Sequence, residues 1–457
     1  MLPQRCDLEG GSEEIHVNDD TGYKSPRVHL ASLGCAKNLV DSERILARFA
    51  AAGAIVGAPP EEAEIIIVNT CGFIEPAKRE SIDTILDYTH YKEDGQCKRL
   101  IVMGCLAQRY ADELRAGLPE VDGIFGLNQD EEILEACGFA QTCDSGRFLL
   151  TPAHTAYLRI SDGCDNRCTY CTIPLIRGAY RERPADEIIV EAGELVERGV
   201  REINVIAQDT SVYGAEKPGG MRIHNLLARL AQISDLHWLR LLYTHPAHFP
   251  TELIDAYTGI PKLCPYVDLP LQHLNNDILR RMGRGATAEE SLKLIERLRL
   301  RVPGIAIRTT FIVGFPGETD AQFRELLEYV KDLRFEHVGV FPYSQEEGTP
   351  AALMPDQIPD QVKEERVREL MLAQQEIVFA RNASIIGTRG EVVIDEPGDD
   401  DGIWLGRSIT QAPDVDSLTY VEGSDLAAGQ FIEVEIAGAD GYDLVASPIE
   451  ENDGISS

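Results

Sequence analysis

Three cysteines stand close together in Cys164-Asp-Asn-Arg-Cys168-Thr-Tyr170-Cys171, at spacings of three and then two intervening residues. Thiolates are the usual protein ligands of iron–sulfur clusters, and a tight loop can wrap three of them around a four-iron cube. Such a cube keeps one iron open for an exogenous ligand. Zinc is the rival reading. A structural zinc takes four protein ligands, often as two C-x-x-C-like pairs, and no second pair stands nearby. The plain alternative is three unconnected thiols in a loop.

With aromatic Tyr170 just before the third cysteine, the motif resembles the signature of the radical S-adenosylmethionine enzymes. The resemblance implies that the amino and carboxylate groups of S-adenosylmethionine chelate the open iron. The reduced cluster then cleaves the sulfonium to a 5′-deoxyadenosyl radical. That chemistry belongs to the cofactor, while the protein supplies ligation, orientation and exclusion of side reactions.

Upstream, Arg27 to Cys35 has a strand pattern closed by glycine, followed by a helix pattern from about Asn38 to Ala52 with Leu39, Ile45, Leu46 and Phe49 on its apolar side. The unit recurs at Glu64–Cys71, with a helix through Ile82, Ile85 and Leu86, and again at Leu100–Cys105, with a helix from Ala107 to Leu118. Continuous apolar runs alternating with helices predict a parallel, doubly wound α/β sheet. Each strand ends in a cysteine beside a glycine, and open α/β sheets bind ligands at the carboxyl ends of their strands. Cys35, Cys71 and Cys105 are therefore candidates to converge, the bland alternative being small thiols buried at strand ends. The arrangement resembles the N-terminal domain of the methylthiotransferases, a branch of the radical enzymes. That resemblance implies a second, auxiliary 4Fe-4S cluster on Cys35, Cys71 and Cys105. Cys6, Cys97, Cys137, Cys143 and Cys264 show no ligand spacing.

From Thr151 to Arg381 the chain alternates strand and helix. Strand patterns fall at Tyr157–Ser161, Glu202–Ala207, Leu239–Tyr243, Val267–Leu271, Ala306–Val313 and His337–Phe341. Six β/α units predict an incomplete parallel barrel, with the cysteine loop after the first strand on the face where such barrels build their sites. Three further segments fall on that rim: Gln208-Asp209-Thr210, Leu269-Pro-Leu-Gln272-His273 and Phe311-Ile-Val-Gly314-Phe-Pro-Gly-Glu318-Thr319. Read plainly, they are strand-to-helix turns, with Thr319 capping the next helix. The resemblance implies that they flank S-adenosylmethionine, with Tyr170, Gln208, Asp209, Gln272, Arg308 and Gly314 as candidate cofactor-binding residues. Arg308 is expected to pair with a carboxylate of cofactor or substrate. The basic run from Leu279 to Gly285 reads as a solvated face or, by the resemblance, as a frame for the substrate entrance. No protein acid or base is assigned.

After a helix pattern from Asp360 to Ala383, the segment Ile386–Glu450 turns β-like, with about five short strands that predict a small barrel of oligonucleotide-binding type. Its place in the chain resembles the TRAM domain of methylthiotransferases. The expected layout is a disordered acidic tail over 1–26, an N-terminal methylthiotransferase domain over 27–150, a radical core over 151–381, the TRAM domain over 382–450 and a tail over 451–457.

Net charge is −33 over 457 residues, which disfavours contact with phosphate backbones unless a local basic patch exists. Between Ile386 and Glu450, fifteen Asp and Glu face two basic residues, Arg389 and Arg407, so RNA contact through the TRAM domain is not expected. Abundant cysteine without a leader-like N-terminus predicts a reducing, cytoplasmic setting, and no apolar run is long enough to span a membrane.

Acid–base groups tuned near neutral pH do not reach an aliphatic C–H bond. The resemblance implies hydrogen abstraction by the radical, then capture of a methylthio group. One S-adenosylmethionine supplies the methyl to a sulfur at the auxiliary cluster, and a second is cleaved at the other. The Gln208-Asp209-Thr210 and Arg308–Thr319 segments resemble the branch that modifies the β-carbon of an aspartate in small-subunit ribosomal protein twelve. A basic ribosomal protein also suits an acidic enzyme, although the charge could serve solubility alone. An electron donor and a sulfur source are implied as further partners. The alternatives are a tRNA adenosine 2-methylthiotransferase and a non-catalytic two-cluster electron carrier.

Overall fold

Residues 25–140, 146–215 and 219–449 are described by the structure, a computed structural model. Almost all of the expected acidic tail, the tail over 451–457, and Cys6 and Cys143 lie outside the described residues. The chain forms two compact units: the segment up to Leu150 together with Leu175–Arg177, and the remainder.

The first unit holds a parallel five-stranded sheet in the order Ile55–Val56, Arg27–Ser32, Ile65–Thr70, Arg99–Gly104, Gly123–Phe125. Both edge strands were missed by periodicity, being too short to show one. Helices Ala36–Ala51, Glu75–Glu93, Cys105–Gly117 and Asp130–Ala136 accompany the sheet. Ile65 and Ile67 pack with Ile45, Phe49 and Ile133 in one cluster. Ile66 and Val68 pack with Ile85, Leu106 and Leu114 in the other. Successive strand side chains point to opposite faces, and both are covered, which is why the strand reads as one apolar run.

In the second unit six parallel strands follow the order Thr155–Arg159, Glu202–Ile206, Trp238–Leu241, Leu263–Asp268, Ala306–Val313, His337–Pro342. The sheet follows chain order and is not closed, as expected for an incomplete barrel. Helices Ile173–Ile176, Thr251–Gly259 and Asn276–Met282 escaped the sequence reading, and the last takes up most of the basic run. Thr287 and Thr319 each form a capping box, with Glu290 and Gln322 respectively.

Helix Asp360–Ser384 leads into a closed barrel of Arg389–Pro397, Ile403–Ser408, Thr419–Glu422, Asp443–Pro448 and Phe431–Asp440. Its core is small, built on Val392, Ile394, Val421, Val434, Ile436 and Leu444. The barrel packs at the amino ends of the six-strand sheet. His154 Nε2 pairs with Asp395 at 2.7 Å, Tyr157 Oη donates to Asp414 at 2.6 Å, and Trp238 meets Phe431 edge-on at 4.9 Å. The carboxyl ends, and the cysteine loop with them, are left at the opposite end. Among the described residues no helix is long and apolar enough to cross a membrane.

Candidate functional site

The loop of Cys164, Cys168 and Cys171 is held mainly by backbone bonds. Cys164 N donates to Gly178 O at 3.1 Å, and Ile173 N donates to Cys171 Sγ at 3.4 Å. Thr169 anchors it from outside: its N donates to Met282 O at 2.9 Å and its Oγ1 to Arg281 O at 2.8 Å. The former basic run is thus the buttress of the loop. Gly283 has φ +69°, and a Cβ there would stand 2.7 Å from Arg167 O, so only glycine fits the joint. Tyr170 packs against the apolar cluster that holds Met282 and Phe315, and supports the loop from that side.

Burial pushes the Cys171 thiol up to about 12 and raises that of Cys164, with the neighbouring thiols adding to both shifts. Thiols gathered this closely fit a cationic iron centre, whose ligands must be deprotonated. Arg284 Nη1 lies 3.7 Å from Cys168 Sγ, while its Nη2 donates to Pro270 O at 2.6 Å.

Around this loop the structure gathers most of the rim candidates. Gln208 Nε2 donates to Asp162 Oδ1 at 3.2 Å. Asp209 accepts from Asn166 Nδ2 at 3.0 Å, from His248 Nδ1 at 2.8 Å and from Ser211 N at 3.0 Å. His245 joins this group: ligand-type atoms of Asp209, His245 and His248 lie within 4.8 Å of one another. Gln272 adopts φ +69°, its N donating to Thr310 O at 2.7 Å and its O accepting from Ile312 N at 2.8 Å. The amides of Gly314 and Phe315 both donate to Glu318 Oε2, at 2.6 and 3.1 Å, and Arg366 holds Glu318 Oε1 at 3.2 Å. Burial pushes Glu318 up to about 7, against Arg366 and the two amides.

Four buried polar atoms of this group lack a protein partner: Gln208 Oε1, Gln272 Oε1, Arg284 Nε and His245 Nε2. Buried polar groups are nearly always paired. Two acceptors and two donors fit a ligand that carries amino, carboxylate and hydroxyl groups together, as S-adenosylmethionine does.

Arg308 is not brought to this rim. Its carboxylate partners come from the chain itself, Asp268 and Asp416, each at 3.4 Å, and Asp416 belongs to the C-terminal barrel at the base.

In the first unit, Cys35, Cys71 and Cys105 follow three adjacent strands. The turns are packed tightly. Gly34 has φ +88°, and a Cβ there would stand 2.8 Å from Cys71 Cβ. Gly104 has φ +99°, and a Cβ would stand 2.2 Å from Asn69 Oδ1. This close approach explains the glycine beside each cysteine. Asn38 joins the turns, its Nδ2 donating to Leu33 O at 3.1 Å and Thr70 O at 3.0 Å. Its Oδ1 accepts from Cys105 Sγ at 3.2 Å and from Arg177 Nη2 at 2.7 Å. Burial pushes Cys105 up to about 12 and raises Cys71. At Cys35 the desolvation is outweighed by Lys37, the Asn38 amide and Arg177, which pull the thiol down. Cys71 feels the charge of Cys35, and Cys105 that of both, so this trio too fits a cationic centre. Asn38, Arg177 and His245 escaped the sequence reading. The one available pointer was the Thr244-His245-Pro246 turn after the third barrel strand.

The sequence matches the radical SAM superfamily over residues 158–330, the uncharacterized protein family UPF0004 over 27–126 and the TRAM domain over 386–449. It is 45% identical over 440 residues to the ribosomal protein uS12 methylthiotransferase RimO of Heliobacterium modesticaldum, covering 93% of this chain and 95% of that one. The namesake of Desulforamulus reducens is 47% identical over 438 residues, with 92% and 99% covered. Among solved structures, the radical S-adenosylmethionine methyltransferase TsrM of Kitasatospora setae, with cobalamin and a [4Fe-4S] cluster bound, aligns with a TM-score of 0.52. It is 16% identical and the alignment covers 72% of this chain and 77% of that one, so the likeness is one of fold.

Proposed function

The chain belongs to the ribosomal protein uS12 methylthiotransferase family, and on that premise we propose that it replaces a hydrogen on the β-carbon of a uS12 aspartate with a methylthio group. The carrying observation is the pair of cysteine trios, each at the carboxyl ends of parallel strands. In this reading Cys164, Cys168 and Cys171 hold the 4Fe-4S cluster that binds and cleaves S-adenosylmethionine. Cys35, Cys71 and Cys105 hold a second that carries the sulfur. When bound, the first cluster and S-adenosylmethionine supply the radical that removes hydrogen from carbon.

The protein's own residues position. Gln208, Gln272, Arg284 and His245 present their unpaired polar atoms to S-adenosylmethionine. Glu318 shapes the Gly314 turn through two amides, Asp209 orders Asn166 and His248, and Tyr170 supports the cysteine loop. Residues 27–150, 151–381 and 382–450 are the functional divisions we assign.

The charge of the C-terminal barrel supports a basic protein substrate. Arg407 is buried among Glu202 and Asp395, which leaves Arg389 as the exposed base of that barrel among the described residues. Such a surface repels a phosphate backbone and draws a basic ribosomal protein by steering. The setting is cytoplasmic, with an external electron donor and a sulfur source.

The test is incubation of the anaerobically reconstituted enzyme with uS12, or a peptide of its aspartate loop, in the presence of S-adenosylmethionine, reductant and sulfide. The protein or peptide should gain the mass of a methylthio group in place of hydrogen. Methylthioadenosine in bulk tRNA beside an unmodified peptide would overturn the assignment.

A further inference from the structure

Resting on the assignment of a cluster to Cys35, Cys71 and Cys105, we propose that Arg177 sets the reduction potential of that cluster by holding a guanidinium N–H against a ligating sulfur. Arg177 is 4% exposed, and its Nη2 lies 3.8 Å from Cys105 Sγ. The same nitrogen is held by Asn38 Oδ1 at 2.7 Å and by Asp41 Oδ2 at 2.8 Å. A buried guanidinium is costly to place, and Asp41 on one side offsets that cost by pairing with it. The side chain is thereby fixed, with the two N–H groups of Nη2 shared among Asn38 Oδ1, Asp41 Oδ2 and the sulfur.

Loss of the thiol proton sharpens the contact. As a thiol, Cys105 Sγ donates to Asn38 Oδ1 at 3.2 Å. Ligation of iron removes that proton. Asn38 Oδ1 then keeps Arg177 as its donor, and the sulfur becomes purely an acceptor facing the guanidinium. Hydrogen bonds to the sulfurs and local charge are the protein's means of moving cluster potentials, because reduction adds a negative charge that a nearby donor stabilises. The same device stands at the other trio, where Arg284 Nη1 lies 3.7 Å from Cys168 Sγ. Arg177 acts through Cys105, and so is a positioning residue.

The alternative is that Arg177 only anchors Leu175–Arg177 in the first unit through Asp41. A potential separates the two, since an anchor does not move it. The experiment uses the full chain with Cys164→Ala, Cys168→Ala and Cys171→Ala, so that iron in the reconstituted protein belongs to the N-terminal trio. An EPR-monitored redox titration is run on this parent and on versions carrying Arg177→Gln or Arg177→Lys. The expected result is unchanged iron content with a midpoint shifted to lower potential, further for Gln than for Lys. An unmoved midpoint with iron retained overturns the role of Arg177. Should Arg177→Gln fail to hold iron, Arg177→Lys decides: it keeps the charge without the fork, and a midpoint equal to the parent's overturns the proposal. A parent that holds no iron overturns the second cluster itself, a different failure.

Discussion

Glu202 and Arg407 meet at 2.8 Å, both almost fully buried, and join the first residue of a core strand to the C-terminal barrel. Arg240 Nη2 reaches the other Glu202 oxygen at 3.2 Å, and Arg407 Nε continues to Asp395 at 2.8 Å. Two guanidinium groups and two carboxylates thus share one largely buried site. Removing Arg407 leaves Glu202 with Arg240 and Asp395 with His154, each carboxylate short of a guanidinium. Arg407→Met should lower stability by about 3–5 kcal/mol. The denaturant midpoint of the iron-free protein measures this, and an unchanged midpoint would show that the barrel is held by its apolar contacts alone.

The same site defines an acid window. Burial opposes the charge on Glu202, but Arg407 and Arg240 outweigh it and pull the carboxyl down to about 2 from an ordinary 4.5. A lowered folded value means stability that is complete above the ordinary value and is lost as pH falls through the folded one. The stability difference between the parent and Glu202→Gln should be constant near neutrality and shrink between about pH 4.5 and 2. A difference that grows toward acid would reverse the sign and sink the argument.

Iron content separates the two trios. The reconstituted chain should hold about eight irons, and the Cys164/Cys168/Cys171 triple Ala variant about four, since each cube carries four. A parent content near four would leave the strand-end cysteines without a cluster.

Replacing Cys35, Cys71 and Cys105 by Ala should abolish methylthio product while 5′-deoxyadenosine continues to form. Cys164, Cys168 and Cys171, assigned to the cluster with the open iron, all lie within the second unit. Loss of S-adenosylmethionine cleavage in a folded variant that keeps its remaining iron would refute this division of labour.

The trio at Cys164, Cys168 and Cys171 was legible in the sequence because a loop ligand set is local: its three members lie within eight residues. Cys35, Cys71 and Cys105 were legible at one remove, since parallel strands of equal length bring their carboxyl ends together. The parallel α/β sheets and the small barrel followed from apolar runs and their spacing, while the two short edge strands of the first sheet did not. Arg308 shows where that reasoning stops. Its place in a strand beside a rim motif was visible, but the partners of its side chain are set by the sheet and by Asp416, 108 residues away. Arg177 and His245 carry no spacing of their own; they matter because folding sets one beside Cys105 and the other beside Asp209. Sequence by itself determined which cysteines are grouped and on which strand ends they stand, because those relations are local or periodic. Tertiary structure alone decided which charged side chains face them, because a buried charge goes where a partner from another element awaits it.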